Sequence, residues 1–157
     1  MTQLIAALLW FSAVACGLMA GLYFAFSTFI MQALGSIDRA AGAAAMKAIN
    51  RVILGSAFMP LFIGSSLSSL ALAAIGLLRW DEPGAAVMVA GGLVYFIGML
   101  VVTMRFNVPL NNALDAAEAG DASTWANYLD RWTRWNHVRT AASTAALILF
   151  IVAIAQR

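Results

Sequence analysis

MTQLIAALLWFSAVACGLMAGLYFAF, residues 1–26, carries no charged side chain, and the first charge of the chain waits until Asp38. About 20 apolar residues in a helix cross a hydrocarbon core, so this stretch is long enough to span a bilayer. A secretory signal wants a basic start and an apolar core of only about 7–15 residues. Neither is present. AVAC at 13–16 loosely imitates a lipoprotein cleavage site, but without that basic start the stretch reads as a retained membrane helix.

The rest of the chain repeats the pattern. Of its 157 residues, 63% are hydrophobic and 10% charged, where soluble domains carry about a quarter charged. Apolar windows fall at 4–34, 52–78, 85–104 and 139–155. Inside lipid the backbone must satisfy its own hydrogen bonds, which leaves helices or a closed barrel. None of the windows alternates with period two, so the expected fold is all-α: an integral membrane four-helix bundle forming one domain, 1–157. No glycine or proline interrupts 121–157. The fourth span is therefore expected to be preceded by an extended amphipathic helical segment within the polar connection 105–138, capped by Asp121 or Ser123.

Several local expectations follow. Gly17 and Gly21 form a small-xxx-small face suited to close helix approach. Pro60 should kink the second span near Ala57, with hydroxyls of SSLSS at 65–69 re-satisfying freed carbonyls. Val108, ahead of Pro109, should leave the α region and break the third helix. The first link, around SIDRAAGAAAMKAINR, should hold a helical turn or two.

Function classes narrow by subtraction. A net charge of +2 without a basic run argues against nucleic acid. One cysteine, Cys16, and one histidine, His137, fall short of a zinc or copper ligand set, so no metal is expected; the scattered methionines read as packing. Arg39, Lys47, Arg51, Arg105, Arg131, Arg134 and Arg139 lie on one side of the four spans, against Arg79 and Arg157 on the other. The positive-inside rule then puts the termini outside the inner (plasma) membrane and links 35–51 and 105–138 in the cytoplasm.

The polar residues concentrate where the third span ends and the fourth begins. Antiparallel neighbours joined on that side bring Arg105, Asn107, Asn111, Trp135, Asn136, His137 and Arg139 to similar depth. At about 100° per residue, Trp125, Tyr128, Leu129, Trp132, Asn136, Arg139 and Ser143 share one face. His137 lies on a flank with Thr133, Thr140 and Thr144, towards the first span's Ser12, Cys16, Tyr23 and Ser27. Tryptophans and arginines at a helix entry are also ordinary interfacial anchors, but ionisable groups inside a bundle are costly and usually functional. The kit of imidazole, guanidinium, carboxamide and aromatic walls suits taking a proton from an apolar aromatic molecule and holding the oxyanion that results.

RFNVPLNNAL (105–114) and the downstream W-x-x-Y-x-x-x-W-x-x-W-N-H-V-R-T (125–140), with GLYFAFS (21–27) and MKAINRVILGSAFMP (46–60), resemble the anthrone oxygenase-like family of small four-span membrane proteins. Similar proteins of fungal polyketide pathways oxidise anthrones to anthraquinones with dioxygen, without metal or flavin. The resemblance implies an aromatic substrate and dioxygen as partners within the lipid bilayer, and no cofactor. On that basis His137 is expected to take the benzylic proton. Arg105 or Arg139, with Asn107, Asn111 or Asn136, would hold the enolate oxygen. Trp132, Trp135 and Tyr23 would form a stacking wall. The competing expectation is a non-enzymatic bundle that binds a quinone or lipid, or that assembles with another membrane protein or with itself. A closed apolar pocket between the first, third and fourth spans would favour chemistry; a solidly packed bundle would favour the scaffold.

Overall fold

In the computed structural model, which describes residues 3–118 and 120–156, every element is helical. Helix α1 runs Gln3–Ser36, α3 Phe58–Leu78, α4 Ala85–Ala116 and α5 Ala122–Ala155, each long and apolar enough to cross a membrane. A shorter helix, α2, covers Arg39–Leu54. The 34 residues of α1 and of α5 make rods of about 51 Å at 1.5 Å per residue. A hydrocarbon core is about 30 Å thick, so both helices project well beyond it. The bundle is therefore long at one end, and that end holds the polar residues.

Packing follows the chain's small residues. α1 packs most extensively against α5, and α4 bridges α3 and α5. The closest backbone approaches are not at Gly17 and Gly21, where an added Cβ would meet only the Leu147 side chain or nothing. Between the spans they are at Gly92, where a Cβ would collide with the Ser69 carbonyl, and at Gly98, where it would collide with the Ala142 Cβ; Gly42 of α2 is seated as closely under the Leu34 carbonyl of α1. The small residues of α4 thus draw the bundle together. Leu9, Met19, Leu72, Tyr95 and Phe150 fill the core there. Large apolar side chains such as Trp10, Val14, Leu18 and Leu67 face outwards, as a lipid-facing surface requires. The serines at 65–69 bond partly within their own helix, Ser65 and Ser66 donating to the Phe62 carbonyl. They also tie helices together, through Ser12–Ser68 and Ser65–Tyr95 contacts of 2.8 Å each.

Three expectations are corrected. The second span does not begin at Val52 and kink at Ala57: α2 reaches Leu54, the chain turns at Gly55 and Ser56, and α3 starts at Phe58. Pro60 consequently sits in the first turn of α3, where its missing N–H costs nothing. The first link is a full 16-residue helix, started by the Asp38 carboxylate accepting from the Ala41 amide at 3.0 Å. Its inward stripe of Met46, Ile49, Asn50 and Ile53 has helical spacing.

The third correction matters most for the site. The helix does not break before Pro109. Val108 keeps helical angles (φ −61°, ψ −46°) and its amide bonds to the Thr103 carbonyl, five residues back. Two π turns, Phe96–Val101 and Thr103–Asn107, precede it. A π turn widens the helix where the proline ring would otherwise press on the carbonyl four residues behind. α4 therefore continues to Ala116 and runs beside α5, and the segment 105–138 is two helical extensions joined by a tight turn. At that turn the Asp121 carboxylate accepts from the amides and hydroxyls of Ser123 and Thr124. Those four bonds pull its pKa down to about 2.

Candidate functional site

One face of α5 is buried along its length: Trp125, Tyr128, Trp132, Asn136, Arg139 and Ser143. It matches the face expected from helical periodicity. Arg139, only 5% exposed, is its unusual member. Its guanidinium lies 4.3 Å from the centroid of the Tyr23 ring and 4.8 Å from that of Trp132. Nη2 donates to Asn136 Oδ1 at 2.8 Å, and Nη1 to Thr103 Oγ1 at 3.4 Å. Asn136 is itself fixed, its amide donating to the Tyr23 carbonyl and to Ser27 Oγ, each at 2.7 Å. Asn136 thus locks α5 to α1 and aims the guanidinium.

No carboxylate balances that charge among the described residues. The ion pairs are elsewhere and exposed: Arg51–Asp115, Arg79–Glu82 and Arg134–Asp130. A buried cation in a membrane bundle is expensive without a counter-charge, and two aromatic faces supply only part of it. Arg139 Nε and Trp132 Nε1 are also buried without a hydrogen-bond partner. Native interiors seldom leave such groups unmet. Both can only donate.

Trp132 and Arg139, together with Tyr23, line one cavity. It measures about 280 Å³ and is walled by α1, α2, α3, α4 and α5, through Leu22, Phe26, Met46, Ile53, Phe58, Phe62 and Thr103 among others. The size is near the lower end of the roughly 300–1,000 Å³ typical of small-molecule sites. The lining is apolar apart from Tyr23, Thr103, Trp132 and Arg139, with Asn50 and Asn111 completing it. Tyr128, buried on α5, links those two asparagines: its hydroxyl donates to Asn111 Oδ1 at 2.8 Å and accepts from Asn50 Nδ2 at 3.3 Å.

The structure sorts the candidate residues into three groups. Arg139, Tyr23, Trp132 and Asn111 meet at the cavity. Asn136 and Asn107 stand behind it, Asn107 donating to the Trp132 carbonyl at 3.2 Å. The remaining three lie elsewhere. Trp135 stacks on Phe106 (centroids 3.6 Å apart, planes at 6°), and the exposed Arg105 guanidinium lies 5.6 Å from the Phe106 centroid. His137 is exposed and lines a separate open groove with Ser27, Gln32, Asp130 and Thr133. Its helical position, two residues before Arg139, turns it away from the cavity. No group of three or more His, Cys, Asp or Glu side chains suited to a metal occurs among the described residues.

Thr103, Asn50 and Tyr128 are cavity or cavity-supporting residues that reading the sequence did not single out as a site. The spacing of Met46, Ile49, Asn50 and Ile53 was the available signal for α2.

A family model described as anthrone oxygenase matches residues 50–149, well over half of the chain and all of the α4 and α5 contribution to the cavity. No curated protein and no solved structure matches the chain.

Proposed function

From the premise that the chain belongs to the anthrone oxygenase family, we propose that it oxygenates a small fused-ring aromatic molecule bearing an acidic CH₂ conjugated to a carbonyl, an anthrone being the type. One observation carries the reading: a buried, carboxylate-free guanidinium at the wall of an apolar cavity, beside the unmet indole N–H of Trp132. An enolate oxygen is the ligand that such a wall lacks.

The chemistry follows from where charge develops. Binding the carbonyl oxygen near Arg139 favours loss of a benzylic proton to solvent, because the enolate is stabilised more than the ketone. The electron-rich carbanion passes one electron to dioxygen, and the resulting radical and superoxide combine to form a C–O bond. The peroxide anion so formed takes a proton back from solvent, and the hydroperoxide then loses water: the second benzylic C–H and the O–O bond break, and a carbonyl forms. Each CH₂ and O₂ thus become C=O and H₂O. Arg139 binds and polarises; Asn136 and Thr103 position it; Tyr23 and Trp132 flank the guanidinium and close the apolar wall. The reading gives His137 no contact with the substrate.

The concentration of basic residues at the long end of the bundle supports placing that end, and the cavity with it, on the cytoplasmic side of the inner membrane. An apolar substrate would then reach the site from the bilayer, and dioxygen, itself lipid-soluble, would follow the same way.

The test is conversion of anthrone under ¹⁸O₂ by the purified protein in detergent. The expected result is a quinone carbonyl labelled with ¹⁸O, formed on the order of 10²–10³-fold more slowly by Arg139→Gln, the usual cost of removing an oxyanion donor. Tight binding of anthrone without any oxygenation would instead support the non-enzymatic reading.

A further inference from the structure

The cavity has a second polar pole. Asn50 on α2, Tyr128 on α5 and Asn111 on α4 form a short hydrogen-bonded chain, and both asparagines line the cavity. The Tyr128 hydroxyl uses its proton on Asn111 Oδ1 and receives one from Asn50 Nδ2. This leaves the Asn111 amide N–H groups and the Asn50 carbonyl oxygen as donor and acceptor. One hydroxyl can use both, accepting from Asn111 and donating to Asn50. The same two residues also line a polar groove of about 230 Å³ containing Lys47, Arg51 and Asp115. The Asn–Tyr–Asn chain therefore stands as a partition between the apolar cavity and that groove.

The two poles are set apart along one helix. Tyr128 and Arg139 are three turns apart on α5, about 16 Å at 1.5 Å per residue. The Arg139 guanidinium lies 4.8 Å from the Trp132 ring centroid, and that ring lies 5.9 Å from the Tyr128 ring, so the two poles are closer than the helix rise alone sets them. The walls between them are apolar: Phe26, Met46, Ile53, Met59 and Phe62. An apolar middle would not require a polar far end. The far end is different: Asn111 and Asn50 line the cavity, and the Tyr128 contacts leave an amide N–H on the one and a carbonyl oxygen on the other unused within the protein.

We infer that this cavity selects aromatic ligands carrying a second hydroxyl on the edge opposite the oxyanion, and that Asn111 and Asn50 are the residues that read it. The inference rests on the cavity being the aromatic site proposed above, and it adds the feature that separates one fused-ring phenol from another.

The experiment measures binding, not turnover. 2-Naphthol and 2,6-dihydroxynaphthalene carry one and two hydroxyls on otherwise equal frames, and neither has the CH₂ that reacts. Affinities are measured by calorimetry in one detergent, and the ratio between the two ligands is compared across variants, so that partitioning into micelles cancels. The wild-type protein is expected to favour the diol about five- to tenfold, the gain usual for a neutral hydrogen bond. Asn111→Leu should abolish that preference while still binding 2-naphthol. Asn50→Ser, a milder change at the same pole, should reduce it, and serves if the leucine variant does not fold. Arg139→Gln should weaken both ligands alike and leave the ratio intact. Equal affinity of the wild-type protein for the two ligands, or a preference that survives both asparagine changes, overturns the inference while leaving the Arg139 reading standing. Binding of neither ligand overturns both.

Discussion

The Arg139 guanidinium sits 4.3 Å from the centroid of the Tyr23 ring, and Asn136 joins the same two residues by bonding Arg139 through its oxygen and the Tyr23 carbonyl through its nitrogen. One carboxamide therefore sets both the depth of the cation and the register of α1 against α5. The charge is held by a planar fork between planar rings, and that geometry is available to arginine alone.

Lysine at this position should consequently fail. Arg139→Lys keeps the positive charge but cannot lie flat between Tyr23 and Trp132 while reaching both Asn136 and Thr103. Anthrone turnover is expected to fall about as far as in the glutamine variant, on the order of 10²-fold or more. Near-normal rates in the lysine variant would show that only net charge matters.

His137 supplies the opposite case. It is exposed in its own groove, so His137→Ala should leave dioxygen uptake with anthrone within about twofold of wild type, the range of a surface substitution. A loss of 10²-fold would mean that the imidazole reaches the substrate by a route absent from this arrangement.

These two residues show what the sequence could and could not reveal. The buried face of α5 was legible because helical periodicity fixes which side chains share a direction; Trp132, Asn136 and Arg139 fell together on that ground alone. Periodicity also put His137 on another flank, towards Thr133 and Ser27, where the structure has it; its expected role as base came from its depth and from the family resemblance, not from the face it occupies. Pro109 suggested a break, yet the π turns that carry α4 past it are set by how the helix packs, which no local propensity reports. The role of α2 was hidden for a related reason. Its Arg39, Lys47 and Arg51 look like a solvated link, and only the close seating of Gly42 under the Leu34 carbonyl folds its Met46–Ile53 stripe over the cavity.

Helix packing can be tested at single glycines. Gly98→Ala places a Cβ into the Ala142 Cβ, and Gly92→Ala into the Ser69 carbonyl; neither neighbour can swing away. Each should lower stability by about 1–3 kcal/mol, the usual penalty of overpacking. Gly21→Ala, which meets nothing within 4 Å, should stay within about 0.5 kcal/mol of wild type. Unfolding of the three variants in a common mixed-detergent series would rank them. Comparable destabilisation by Gly21→Ala would show that the α1 face packs more tightly than the structure has it.

The start of α5 should respond to acid in a defined window. Asp121 accepts from the Ser123 and Thr124 amides and hydroxyls, and these bonds hold its pKa at about 2, below the ordinary 3.8. A depressed folded-state pKa means that the capping contribution is fully present above the ordinary value and is lost as pH falls through the folded one. The first turn of α5 should therefore stay protected at pH 5 and fray between about pH 4 and 2. Asp121→Asn keeps a good capping residue but removes the titration, so its protection should be flat across the same window. Hydrogen exchange of the Ser123, Thr124 and Trp125 amides, corrected for intrinsic rates at each pH, reads this directly. An identical acid response in the asparagine variant would place the titrating group elsewhere, with Glu118 and Asp115 across the turn as the next residues to substitute.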